Sequence, residues 1–388
     1  VKPVKLDPQP WMTTSAIKRL FKAIPHSQTT LRFVGGCVRD AFIGKPVQDI
    51  DLATSYTPEE IIKFLKKSDI KVIPTGLAHG TVMAVIEGEG FEITTLRRDE
   101  ETDGRRAVVA FTDNWEKDAA RRDFTFNALY LKENGEIYDP WGGIEDLKQG
   151  IVRFIGDANG RIQEDYLRLL RYFRFYARFA EHSPDDKTLK ALATNKKGLE
   201  NISGERIHSE LLRLLKNKAP LESLKLMATT GILEVITRQK DLCDAFIKLL
   251  SLEQELDQPP CPLTRLYTLI NYDTQKLDWI IKRYKFSNKE SKWLHKLQNM
   301  IEEDSAKDIR LRLHFQGKDL TRAWFMASLA KGENLPFSLF KAIENWEQKP
   351  FPITGQDLIK QGFNAGPELG TELKKQELDW VLKRPISE

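Results

Sequence analysis

The sequence predicts an α+β head built on a mixed sheet with flanking helices, followed by an extended all-helical arm. Before about residue 140, short runs rich in Val, Ile, Thr and Phe recur between Gly, Pro and Asn, the composition of strands and turns. After about residue 160, apolar residues recur at helical spacing almost to the end. A chain of 388 residues is also too long for one ordinary core, which gives about two to three domains.

The elements follow in order. "LRFVGG" and "DIDLATS" read as the first strands. "TPEEIIKFLKKS" predicts a helix over about 57–68, with Thr57 as N-cap and Pro58 at the first helical position. "IKVIPTG", "GTVMAVIEG", "GFEITTLR" and "VVAFT" continue the strand pattern, a short helix is expected over about 115–123, and "FNALYLKENGEIYDP" closes the sheet. "RIQEDYLRLLRYFRFYARFA" then opens the helical part as one amphipathic helix, and "GERIHSELLRLLKN" to "ELDWVLKR" extend it. No fixed-period repeat or low-complexity tract interrupts the pattern.

Composition narrows the class. Hydrophobic content of 41% and charged content of 30% fit a folded chain. No apolar run reaches the length of a membrane span, and "VKPVKLDPQPWMTTS" lacks the apolar core of a signal peptide. Cys37, Cys243 and Cys261 form neither a disulfide framework nor a CxxC site, so a reducing cytoplasm is expected. The net charge of +4 is unevenly placed: residues 151–218 hold fourteen Lys/Arg against nine Asp/Glu, which leaves the rest of the chain at −1. A local basic stripe points to a polyanionic partner.

Within this frame, "DID" places Asp49 and Asp51 on one face of a β-like run. Paired carboxylates repel unless a cation sits between them, and Mg²⁺ suits such a site because it keeps waters and takes substrate phosphates. An exposed strand with alternating acids is the plainer alternative. Glu92 in "GFEITTLR" alternates with Phe91 and Ile93, and a neighbouring strand could bring it beside the aspartates. "VGGCVRD" fails the GxGxxG fingerprint on spacing. Gly35 and Gly36 still allow close approach of backbone to a phosphate, with Arg39 as a bidentate ligand. A tight turn with a surface Arg39–Asp40 pair explains the same residues.

Arg121, Arg122 and Asp123 precede an apolar strand, either as a solvated face or as cations for a triphosphate. On the helix after 160, Tyr166, Leu169, Leu170, Phe173, Tyr176 and Ala177 share one sector, and Arg171, Arg174 and Arg178 share another. Amphipathicity and i,i+4 ion pairs explain part of this. The preference for arginine over lysine favours planar recognition of a base edge or a phosphate.

Taken in order, "GGCVRD", "DID", "FEITTLR", "RRDEETDGRR", "RRDFTFNAL", "EDYLRLLRYFRF" and, more loosely, "ISGERI" resemble the motifs of class II tRNA nucleotidyltransferases, the CCA-adding enzymes, and of the related bacterial poly(A) polymerases. The likeness covers residues 30–210; beyond them only "FPITGQDLIKQGFNAGPELG" looks like the family's tail. Cys37 stands where Ala is common, and Phe126 where Ile or Met is usual.

The resemblance implies a polymerase-β-like head over 31–145, preceded by a helical segment over 1–30. A neck over 146–215, a body over 216–290 and a tRNA-binding tail over 291–388 follow. It implies that Asp49 and Asp51 bind Mg²⁺ with Glu92 as third carboxylate, and that Gly36, Arg39 and Arg122 meet the nucleotide phosphates. Asp165 and Arg168 then read the base, and Arg171 and Arg174 make further nucleotide contacts. The implied reaction is untemplated addition of C, C and A to tRNA from CTP and ATP, with release of pyrophosphate. The charged loop over about 97–106 argues against CC addition alone. A-addition alone and poly(A) synthesis are the enzymatic alternatives, and an inactivated RNA-binding head is opposed by the intact "DID" and "EDYLR".

Overall fold

The structure is a computed structural model that describes residues 4–99, 109–303 and 308–385. The chain divides into two compact units: Val1–Arg168 with Phe179–Asn195, and Leu169–Arg178 with Lys196–Glu388.

The first unit is organised by a seven-stranded mixed sheet. Its strands are β1 (Leu31–Val34), β2 (Asp51–Thr54), β3 (Lys71–Gly76), β4 (Thr81–Ile86), β5 (Glu89–Thr95), β8 (Tyr130–Leu131) and β9 (Ile137–Tyr138). They lie in the order β3-β4-β5-β2-β1-β8-β9. β6 (Arg97–Asp99) and β7 (Val109–Phe111) pair antiparallel as a separate ribbon. Within the sheet β2 and β5 run parallel and the other neighbours antiparallel.

Alternation decides which face each strand buries. Val82, Ala84 and Ile86 of β4, and Phe91, Ile93 and Thr95 of β5, point inward, while Glu92 stays exposed. Apart from Thr95, these inward side chains pack with Leu31, Phe33 and Leu52 against Ile17 and Leu20 of the helix Ser15–Ala23, and against Ile61 and Leu65 of the helix Pro58–Lys67. That second helix starts as its sequence demands: the Thr57 hydroxyl accepts the Glu60 N–H, and the Glu60 carboxylate accepts the Thr57 N–H.

Two local expectations change, and one of two alternative readings falls. "GGCVRD" is a short helix, Gly36–Phe42, rather than a turn, because Gly35 at φ +71° reverses the chain directly after β1. The helix expected over 115–123 ends at Ala120, so Arg121–Asp123 lie in the turn that follows. The long helix after residue 160 is broken in two, Ala158–Glu164 and Leu167–Phe179. Asp165 between them is extended, at φ −152° and ψ 102°, and its Oδ1 accepts the Leu167 N–H at 3.1 Å. Local side-chain capping here outcompetes helix continuation.

The second unit is helical. The helix Lys318–Lys331 buries residues around its circumference, among them Leu320, Trp324, Phe325, Ala327 and Ser328, as a central helix must. One buried ion pair ties its neighbours. Arg265, 2% exposed, donates to Glu253 through Nε (2.8 Å) and Nη2 (2.6 Å), and Nη1 donates to the carbonyls of Leu215 and Asn217. Among the described residues no helix is long and apolar enough to cross a membrane. The mixed sheet with flanking helices and the helical remainder agree with the expected fold class.

Removing Glu253 would leave a buried guanidinium without its counter-charge, at a cost of about 3–5 kcal/mol. Glu253→Ala is therefore expected to shift the urea midpoint strongly, and Glu253→Gln, which keeps an acceptor, less.

Candidate active site

The register of β2 against β5 creates the site. Asp51 opens β2 and lies opposite Glu92, and the parallel ladder continues through Leu52↔Ile93 to Thr54↔Thr95. Asp49 precedes the strand by two residues and is likewise exposed. The three acids line an open cleft of about 780 Å³ with Trp11, Thr14, Gln48 and Met83. Partial desolvation raises the Asp51 carboxyl pKa above its ordinary value, and repulsion from Glu92 and then Asp49 raises it further, against a smaller opposing effect of Arg122. Relief of the repulsion among these carboxylates is what a cation at this edge would supply.

An all-oxygen, multiply anionic donor set suits a hard divalent ion. Among the described residues no three acidic, histidine or cysteine side chains form a complete cage. Such an edge fits an ion that takes the remainder of its shell from water and substrate phosphates.

Two arginines face the glycine corner. A Cβ built on Gly35 would lie 3.5 Å from Arg122 Nη1, and one on Gly36 would lie 3.8 Å from Arg39 Nη2. Arg39 is 6% exposed, so it is no surface ion pair. Its Nε donates to Asp40 at 2.8 Å and its Nη1 to Asn127 Oδ1 at 2.6 Å, while Asn127 in turn donates to Asp123 at 2.9 Å.

Arg122 is held by Asp118. Its Nε and Nη2 each lie 3.2 Å from Asp118 Oδ2, and the Tyr130 hydroxyl donates to the same oxygen at 2.7 Å. Arg121 pairs with Asp118 Oδ1 at 2.8 Å, and the Arg97 N–H donates to that oxygen at 3.1 Å. Burial alone would raise the Asp118 carboxyl, but Arg122, Arg121 and these donors hold it down to about 2. Sequence reasoning missed Asp118 and Asn127. A lone acid four residues before an arginine was the available signal for the first, and nothing local marks the second.

Asp165 and Arg168 follow one another across the helix break. Arg168 Nη1 donates to Glu164 at 2.6 Å and to the Arg161 carbonyl at 2.8 Å, and its Nη2 donates to the Arg121 carbonyl at 3.2 Å. Arg171 and Arg174 belong to the second unit. There Arg174 Nε pairs with Glu210 at 2.5 Å and Arg171 lies 3.8 Å from the same carboxylate. From residue 100 onward, the charged loop expected over 97–106 lies outside the described residues. Cys37, in the helix after the glycine corner, is 2% exposed and directs its thiol at the Val34 and Asp51 carbonyls, at 3.4 and 3.7 Å. Burial pushes that thiol up to about 11.

Residues 31–153 match the family described as "Poly A polymerase head domain", and residues 183–242 match "Probable RNA and SrmB- binding site of polymerase A". A Danio rerio protein named CCA tRNA nucleotidyltransferase 1, mitochondrial, is 37% identical over 96% of this chain and 88% of its own length. The chain belongs to the CCA tRNA nucleotidyltransferase family. A bacterial member, the CCA-adding enzyme of Lactobacillus delbrueckii subsp. bulgaricus, is 33% identical over 88% of this chain and 87% of its own. The family resemblance extends to the fold: the Bacillus stearothermophilus CCA-adding enzyme, solved in complex with CTP, superposes with a TM-score of 0.72 at 27% identity. That match covers 94% of this chain and 92% of the other. The family generally uses a divalent metal.

The lowered pKa fixes the sign of one pH effect. Asp118 stabilises the fold fully above its ordinary value of 3.8 and loses that contribution as pH falls toward about 2. Asp118→Asn is expected to cost about 2 kcal/mol at pH 7. Urea denaturation at a series of pH values should show the gap to wild type closing between about pH 4 and 2.

Proposed function

We propose that this chain adds C, C and A in turn to the 3′ end of tRNA, using CTP and ATP and no nucleic-acid template, and releases pyrophosphate. The observation that carries the reading is the in-register pairing of Asp51 with Glu92 beside Asp49, in a chain that keeps the family's motifs in order. Asp49 and Asp51 would hold Mg²⁺, with Glu92 next to them. When bound, the ion supplies a Lewis acid that lowers the pKa of the tRNA 3′-hydroxyl and offsets triphosphate charge.

The protein's own residues do the rest. Gly36 lets the backbone approach the phosphates, and Arg39 and Arg122 offset charge on the departing pyrophosphate. Both arginines are already oriented, the first by Asn127 and Asp40 and the second by Asp118 and Tyr130. Little reorganisation is needed as charge develops.

Asp165 accepts the exocyclic amino N–H of cytosine or adenine, and Arg168 donates to the adjacent ring nitrogen. Uracil and guanine present the reverse pattern and would leave buried groups unpaired. Arg171 and Arg174 are further nucleotide contacts in the same reading. The helical neck, body and tail hold tRNA through phosphates and shape, so that its body sequence matters little. The proposal includes a cytoplasmic location, consistent with three free cysteines. A mitochondrial location, as in the vertebrate relative's name, is the competing outcome of cell fractionation.

Asp49→Ala should abolish incorporation of labelled CTP and ATP while tRNA binding persists; unchanged incorporation would sink the assignment. Chelation of divalent ions should likewise stop wild-type incorporation, and Mg²⁺ restore it. Asp165→Ala combined with Arg168→Ala should admit UTP or GTP, and retained selectivity would refute the protein template. The description of the matched head favours poly(A) synthesis as a second reading. tRNAs ending before CCA, after C and after CC separate the two: three added nucleotides against a long A tract.

A further inference from the structure

The first unit has a second groove, which shares no residue with the acid cleft. It has a volume of about 750 Å³ and is lined by Trp141, Arg153, Asp157, Asn159, Lys187 and Lys190, among others. That size suits a nucleotide-sized ligand.

Its aromatic wall is fixed in place. Trp141 is 38% exposed, and among the described residues neither a ring nor a cation stacks on its indole. The turn that presents it is tied down: the Asp139 carboxylate accepts the Gly143 N–H at 2.8 Å and the Ile144 N–H at 2.9 Å. Gly142 takes φ +73°, and Gly143 packs against the Thr125 carbonyl with no room for a Cβ. The turn thus presents a partly exposed indole to the groove.

The cationic wall is available too. Arg153 is oriented by Asp146 at 3.0 Å, yet its side chain is 59% exposed. Lys187 and Lys190 are exposed on one face of the helix Asp186–Thr194, and among the described residues neither has an acidic partner. The two acids of the lining are engaged as helix caps: Asp157 accepts the Gly160 N–H, and Asp185 accepts the Thr188 N–H and hydroxyl. Lys187 and Lys190 fall within the residues that match the RNA-binding family.

We propose that this groove binds an unpaired segment of RNA, stacking a base on Trp141 and seating the flanking phosphates on Arg153, Lys187 and Lys190. An aromatic platform beside a row of cations is how proteins take single strands, whose bases are free to stack. A duplex keeps its bases inside and reaches only the cations. The site goes beyond nucleotidyl transfer and does not depend on it.

The test uses the full-length protein and an unstructured RNA of about ten nucleotides carrying a single 5-iodouridine, which cross-links under light to a stacked aromatic ring. Peptide mapping is expected to find a principal adduct at Trp141. Lys187→Glu with Lys190→Glu, both at exposed positions, should lower its yield about tenfold. Annealing the RNA into a duplex should abolish it. No adduct at Trp141, an unchanged yield in the lysine variant, or an equal yield from the duplex would each overturn the proposal. Asp49→Ala should cross-link like wild type, so failure here and failure of the catalytic reading are separable.

Discussion

One parallel strand pairing governs the candidate site. β2 and β5 are the parallel neighbours of an otherwise antiparallel sheet, and their register fixes Asp51 opposite Glu92. A slip by one residue would turn Glu92 inward and Phe91 outward. The buried faces therefore do more than hold the head together. Phe91, Ile93 and Leu52 are 2%, 1% and 0% exposed, and burying them is what specifies where the carboxylates meet. The repulsion concentrated at that edge is sustained by the packing behind it.

A second arrangement repeats the logic with the opposite charge. Arg122 and Arg121 share Asp118, which is 1% exposed, and Arg39 leans on Asn127. Buried acceptors spread over several elements give each guanidinium one orientation. The glycine corner then brings the backbone to both arginines, because neither Gly35 nor Gly36 places a Cβ in between. Carboxylates on one side and oriented arginines on the other are what a reaction moving phosphoryl charge requires.

Period-two alternation made the strands readable, and Thr57-Pro58 with Glu60 made a helix start readable to the residue. The acids were visible as types and spacing. What brings Glu92 to Asp51 was not, because a pairing between strands 41 positions apart leaves no local trace. The short helix after Gly35 was hidden because adjacent glycines suggest a turn. The break at Asp165 was hidden by a helical period that runs unbroken through it; only an Asp able to cap Leu167 signals the stop. Asp118 and Asn127 escaped notice for a related reason: their roles lie in what they hold.

Cys37 shows what such packing means for a cell under oxidative stress. With its thiol pushed up to about 11 by burial, very little of it is the reactive thiolate at pH 7. Peroxide or disulfide reagents find little nucleophile there and, at 2% exposure, little access. The thiol behind the glycine corner is chemically quiet, so oxidants that disable exposed cysteines should leave this corner intact.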